Sequence, residues 1–167
     1  MDKRAETACF TGHRIMKMAS GEVRSRLSEL LDMLIAKGVI YYGCGGALGF
    51  DTLAAEVVIE KKRVNPKVKL ILVLPCQNQD AKWLPEQRAR YSYIKTQADK
   101  IVYTSDTYYD GCMLKRNRHL VNNSGICVSL LERNSGGTYY TVRYAMENNL
   151  KIYNIMDKRY LEPLEYE

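Results

Sequence analysis

The sequence predicts an α/β protein in which a mostly parallel sheet lies between two layers of helices. Two observations predict it. Short apolar runs at 7–10, 39–42, 68–74, 101–103, 126–131 and 151–155 alternate with longer stretches of helical periodicity. Strands alternating with helices in this way form parallel sheets, because each crossover lays a helix on a face of the sheet. The second observation is size: 167 residues, 46% of them hydrophobic, suffice for one buried core, so a single domain is expected over 1–167.

Each element has its own signal. The first run, Thr-Ala-Cys-Phe, ends at Thr11-Gly12-His13-Arg14. In the helix expected over 22–36, Val23, Leu27, Leu30, Leu31, Leu34 and Ile35 recur at spacings of three and four, which makes one apolar stripe. The run 39–42 leads into the glycine stretch Gly43-Cys44-Gly45-Gly46-Ala47-Leu48-Gly49 and a helix over 49–62. Run 68–74 ends at Pro75-Cys76-Gln77, with a helix over 84–97 after Trp83. Further helices are expected over 113–122 and 138–148, each ending near Asn as helices tend to. The charged, tyrosine-bearing tail after Asp157 reads as peripheral.

Composition narrows the function classes. The net charge of +6 suits an anionic ligand, but the basic residues are scattered, so nucleic acid is a possible partner and not the favoured one. No apolar stretch approaches the ~20 residues of a membrane span, and the first residues lack the apolar segment of a signal peptide, so a cytoplasmic protein without membrane contact is expected. The five cysteines form no Cys-x-x-Cys pair and are expected as free thiols, with no metal site and no resident cofactor. A homo-oligomer stays open.

In parallel sheets ligands bind beyond the carboxyl ends of the strands, so the segments after the strands hold the candidate site. The glycine stretch does not fit a dinucleotide fingerprint, since the third glycine of that spacing falls on Leu48. Gly45 and Gly46 still suit a backbone cradle for an anion before a helix start, and Asp51 can accept from ribose hydroxyls or cap amides there. Gly12, His13 and Arg14 set a turn, an imidazole and a phosphate-binding guanidinium after the first strand. Ser135, Gly136, Gly137 and Thr138 offer free amides and a hydroxyl at the last long helix, and Arg116 and Asn117 lie early in the helix before it. The sequence shows no Ser-His-Asp order, no HExxH, no Walker lysine and no evident carboxylate pair, so no catalytic residue is assigned.

The motifs CFTGHR, GGALGFDTLAAE, LPCQNQDAKW, CMLKRNRHLVNNS and GGTYYTVRYA, in that order, resemble the YpsA-like family of the SLOG (SMF/DprA and LOG) superfamily from about Thr7 to Ile155. The resemblance implies a Rossmann-like three-layer αβα sandwich. It also implies a nucleotide or nucleotide-derived ligand at the strand ends, held by Gly12, His13, Arg14, Gly45, Gly46, Asp51, Arg116, Asn117, Gly136, Gly137 and Thr138, in a sensor or regulatory binding protein. Two other roles occur in the superfamily: single-stranded DNA binding, as in DprA, and phosphoribohydrolysis, as in LOG proteins. Where the LOG pattern carries a glutamate after its Gly-Gly-Thr motif, this chain has Thr141. A threonine cannot stabilise a developing sugar cation or activate water as a carboxylate does.

Overall fold

The computed structural model describes residues 2–166, and the two outermost residues of the expected unit lie outside them. Strands β1 (Thr7–Gly12), β2 (Tyr41–Cys44), β3 (Lys69–Leu74), β4 (Lys100–Tyr103), β5 (Ile126–Leu130) and β6 (Lys151–Asn154) form one sheet in the order β4-β3-β2-β1-β5-β6. Every neighbouring pair is parallel, so the sheet expected to be mostly parallel is wholly so among the described residues. The helices are α1 (Ser20–Ala36), α2 (Phe50–Val64), α3 (Pro85–Gln97), α4 (Cys112–Asn122) and α5 (Gly137–Glu147). A short 3-10 turn, Lys3–Glu6, precedes β1 and had no periodic signal in the sequence.

Two apolar cores on opposite faces of the sheet make the three layers. One joins the α1 stripe, Val23, Leu27, Leu30, Leu31 and Leu34, to α2, to Tyr91 and Ile94 of α3 and to Phe10 and Leu72 of the sheet. Helix α2 is the most enclosed because it packs against both α1 and α3, and its buried residues include Phe50, Leu53, Ala54, Val57 and Val58. The other core joins Leu120 and Val121 of α4 and Val142 and Ala145 of α5 to Cys9, Cys127 and Ile152. All five cysteines are buried and unpaired. Among the described residues no helix is long and apolar enough to cross a membrane.

The chain builds outward from β1 to β4, then α4 returns it across the sheet so that β5 pairs with the other side of β1. Strand order reverses between β1 and β5. The loops leaving these two strands part in opposite directions there, which opens a crevice at their carboxyl ends.

Two boundaries differ from the periodic reading for a packing reason. Strand β2 runs into the glycine stretch, with Gly43 in register with Cys9, because a Cβ at Gly43 would stand 2.9 Å from the Leu120 side chain. Only a bare strand residue fits beneath α4 at that point. The tail is not peripheral: Leu164 N–H donates to Ile152 O at 2.7 Å, Tyr160 OH donates to Glu29 Oε2 at 2.6 Å, and Tyr166 OH donates to Leu150 O. Its charged composition masked the apolar contacts of Leu161 and Leu164.

The turn into α2 is fixed by backbone approach. Gly49 has φ +79°, and a Cβ there would lie 2.1 Å from the Arg14 carbonyl oxygen, while Phe50 N–H donates to His13 O at 3.2 Å. The Gly49→Ala variant is therefore expected to lose about 2 kcal/mol of stability, or about 4–8 °C in melting temperature. Gly21→Ala, in an open stretch of α1 with nothing within 4 Å of an added Cβ, should hold or slightly raise it. Calorimetry on the two variants checks the contrast; equal melting temperatures would remove the constraint assigned to Gly49.

Candidate functional site

The segments that leave β1 and β5, the start of α2, the first turns of α4 and the start of α5 surround a cavity of about 510 Å³. Helix α5 begins at Gly137 with no side-chain cap, and its first intrahelical donor to the cap residue is Tyr140 N–H, to Gly136 O at 3.1 Å. The amides of Gly137 and Thr138 are thus left without an intrahelical partner where they line the cavity. A helix start of this kind carries positive potential and donors at the same place.

Side chains add charge to it. Arg14, Lys17, Arg116 and Arg133 line the cavity together with the carboxylates of Asp51 and Glu132, so its walls carry two more positive than negative groups. Arg116 is buried, with Nε donating to Asn117 Oδ1 at 2.8 Å, Nη1 to Gly45 O, and Nη2 near Met113 Sδ at 3.8 Å. Burial lowers its pKa despite the opposing pull of Asp51, although a guanidinium stays charged throughout the physiological range. Asp51 accepts from Ala47 N–H at 3.2 Å, and burial pushes its pKa up to about 6 against the pull of Arg116, the Ala47 amide and Arg14.

His13 has a different task. Its Nε2 accepts from Glu132 N–H at 3.0 Å and ties the loop after β1 to the loop after β5. Burial, then the nearby Arg133, lowers its pKa, so the ring is neutral and carries its proton on Nδ1. Glu132 in turn accepts from Lys17 N–H at 3.0 Å through Oε1, while Oε2 is enclosed without a partner among the described residues.

The structure brings together on this cavity Gly12, His13, Arg14, Asp51, Arg116, Asn117, Gly137 and Thr138. Gly45, Gly46 and Gly136 do not line it. Gly45 sits behind the cavity wall, where a Cβ would lie 2.6 Å from the Arg116 guanidinium; Gly46 has φ +68° and closes on Leu74 and Tyr91. Gly136 has φ +90° and, with Ser135, borders a neighbouring groove between α4 and α5. The left-handed backbone at this helix start therefore belongs to Gly136 and not to Gly137. Glu56, the next carboxylate along α2, points away from the cavity and pairs with Arg24 and Arg90, at 3.0 Å and 2.7 Å. In the basic run of α4, Arg116 and Asn117 turn into the cavity while Lys115, Arg118 and His119 share an outward face.

Lys17, Glu132 and Arg133 were not picked out from the sequence. Glu132 and Arg133 follow β5 directly, so the strand-end rule that selected Gly136 reached past them to the more conspicuous glycines. The structure also supplies what the sequence did not reveal, two carboxylates on one cavity. Among the described residues, no three of His, Cys, Asp or Glu cluster as metal ligands would.

A sequence profile described as the YspA SLOG family (YpsA) matches residues 9–160. A UPF0398 protein of Brevibacillus brevis is 36% identical over 134 residues, covering 78% of this chain and 67% of that protein. One of Halalkalibacterium halodurans is 29% identical over 126 residues, covering 74% and 67%. Among solved structures, DNA processing protein A from Helicobacter pylori, described with a single-stranded DNA binding mode, aligns with a TM-score of 0.62 at 18% identity, over 89% of this chain and 64% of that one. DNA processing protein A (DprA) from Streptococcus pneumoniae aligns with a TM-score of 0.65 at 16% identity, over 91% and 51%. The chain thus spans about two thirds of those curated relatives and less of the solved chains, and at such identities the solved structures speak for the shared Rossmann-like fold.

Asp51 gives the site a pH signature. Its folded pKa, about 6, lies above the 3.8 of a free aspartate, so its contribution to stability is present below about pH 4 and lost as pH rises through about 6. Two steps of pKa correspond to about 3 kcal/mol. Asp51→Asn keeps an acceptor for Ala47 N–H, so it should be more stable relative to the parent at pH 7 than at pH 4 by up to about that amount. Denaturant titrations at the two pH values check this, and a pH-independent difference would remove the burial assigned to the carboxylate.

Proposed function

Because the chain belongs to the YspA SLOG family, we propose that it binds a nucleotide or nucleotide-derived small molecule at the carboxyl ends of β1 and β5, as a sensor or regulatory binding protein. The observation that carries this reading is the convergence of the free α5 amides with Arg14 and Arg116 on one cavity. Amides at a helix start suit a phosphate oxygen, and a guanidinium adds charge-assisted donors. Arg14 joins no ion pair among the described residues and is exposed, so it is available to a ligand. Asp51 and Asn117 offer acceptors for ribose hydroxyls beside the phosphate position. Buried, unpaired cysteines fit a reducing compartment, so the cytoplasm is the proposed location.

Binding without turnover fits the surroundings of Thr141. That residue is buried and its hydroxyl donates to Gly137 O at 2.9 Å, which holds the first turn of α5 closed and leaves no carboxylate at that position. Single-stranded DNA, named for one structural neighbour, is the competing ligand. A polyanion would make binding fall steeply with salt, whereas a mononucleotide contacted by few cations would respond weakly.

Thermal-shift titration with nucleoside monophosphates tests the reading. At 100 times its dissociation constant a ligand adds ~2.7 kcal/mol, or about 5–10 °C for a chain of this size. Arg14→Ala is expected to weaken AMP by about tenfold or more. Gly137→Val should keep the fold, since an added Cβ meets nothing within 4 Å, but should block close approach to the amides and abolish binding. A panel without any shift would overturn the proposal.

Incubation with AMP is expected to release no adenine. Release at a rate of about 1 per second or faster, lost in Asp51→Asn or Glu132→Gln, would turn the site into that of a hydrolase.

A further inference from the structure

A second cavity, of about 580 Å³, opens on the far side of Arg14, between the loop that follows β3 and the loop that follows β4. Its walls include Trp83, Tyr108, Asn78 and Gln79, and it shares Arg14 and Met113 with the strand-end cavity. Arg14 thus borders two spaces of similar size, one lined mainly by cations and amides, the other by aromatic rings, carboxamides and Lys82.

Each wall is built in a way that leaves something unmet. Trp83 is half-buried and held by Tyr91, ring centroids 5.0 Å apart at an interplanar angle of 65°. Tyr108 is 61% exposed. The Gln79 amide is oriented by its Nε2, which donates to Tyr91 OH at 3.2 Å and lies 3.4 Å from Gly46 O. Its Oε1 is enclosed and accepts from no group among the described residues.

We propose that this cleft is the base subsite: the heteroaromatic ring of a nucleotide stacks against Trp83 and Tyr108, while its phosphate reaches past Arg14 to the start of α5. The assignment rests on the nucleotide reading above and extends it to the part of the ligand that sets specificity. Flat aromatic walls suit a base because every base offers a π-face.

Trp83 is the only tryptophan in the chain, so its emission reports on this cleft alone. The protein is titrated with AMP and with ribose 5-phosphate, following both tryptophan emission and thermal shift. AMP is expected to bind about tenfold tighter or more and to change the emission; ribose 5-phosphate should bind weakly and leave it unchanged. Tyr108→Ser, at an exposed position that spares the fold, should reduce the advantage of AMP about tenfold without altering ribose 5-phosphate affinity, and Trp83→Leu should do so more strongly. Equal affinities with silent emission at saturation, or an AMP advantage untouched by Tyr108→Ser, would overturn the subsite and leave the phosphate site standing. Failure of both ligands to bind would overturn the nucleotide reading and this assignment with it.

Discussion

The buried guanidinium of Arg116 is the constraint around which the strand-end region is arranged. A cation removed from water costs several kcal/mol unless its donors are met. Here they are met by a backbone carbonyl and a neighbouring carboxamide, with a thioether nearby, and no carboxylate lies within ion-pair distance among the described residues. That requirement reaches into the sequence. Gly45 must lack a side chain to admit the guanidinium, α4 must begin close to the β2 turn, and Asp51 must stay near enough to be felt without closing the space between them. The charge left incompletely neutralised is directed at the cavity.

The glycines near the strand ends fall into two groups. Gly12 lies against Phe50, Gly43 under Leu120, Gly45 beneath Arg116 and Gly49 against the Arg14 backbone, so each is bare because the protein itself fills the place of a Cβ. Gly136 and Gly137 have nothing within 4 Å of an added Cβ, and no internal contact accounts for the second of them. A glycine-rich stretch after a strand is thus ambiguous until the neighbours are known: one stretch here serves packing, the other leaves backbone bare to whatever occupies the cavity.

Much of the fold was legible because burial writes a period into the chain. The α1 stripe and the runs that become β3 and β5 are repetitive enough to read, and their alternation dictates a parallel sheet covered on both faces. What escaped depended on contacts distant in sequence. The end of β2 was set by Leu120 on α4, and the tail was anchored by residues of β6 and α1, neither of which leaves a local pattern. At the site, Arg14, Asp51 and Arg116 could be named because charge beside glycine near a strand end is conspicuous. Glu132 and Lys17 could not, because a carboxylate meeting an amide 115 positions away is invisible along one chain. His13 lines the cavity, and its bond to Glu132 N–H makes it a strut between two loops.

The anchored tail bears on how the sheet could grow. A parallel sheet has two open edges, and each offers unpaired backbone groups to an incoming strand. At β6 the carbonyl of Ile152 is taken by Leu164 N–H, and the hydroxyl of Tyr166 closes on Leu150 just before that strand, so the last described residues sheathe this edge. At the opposite edge β4 is four residues long, opens with an exposed lysine and leaves Ile101 37% exposed. Strand-by-strand association between copies would be asymmetric in consequence, sheathed on one side and confined on the other to a ribbon too short to hold a partner firmly.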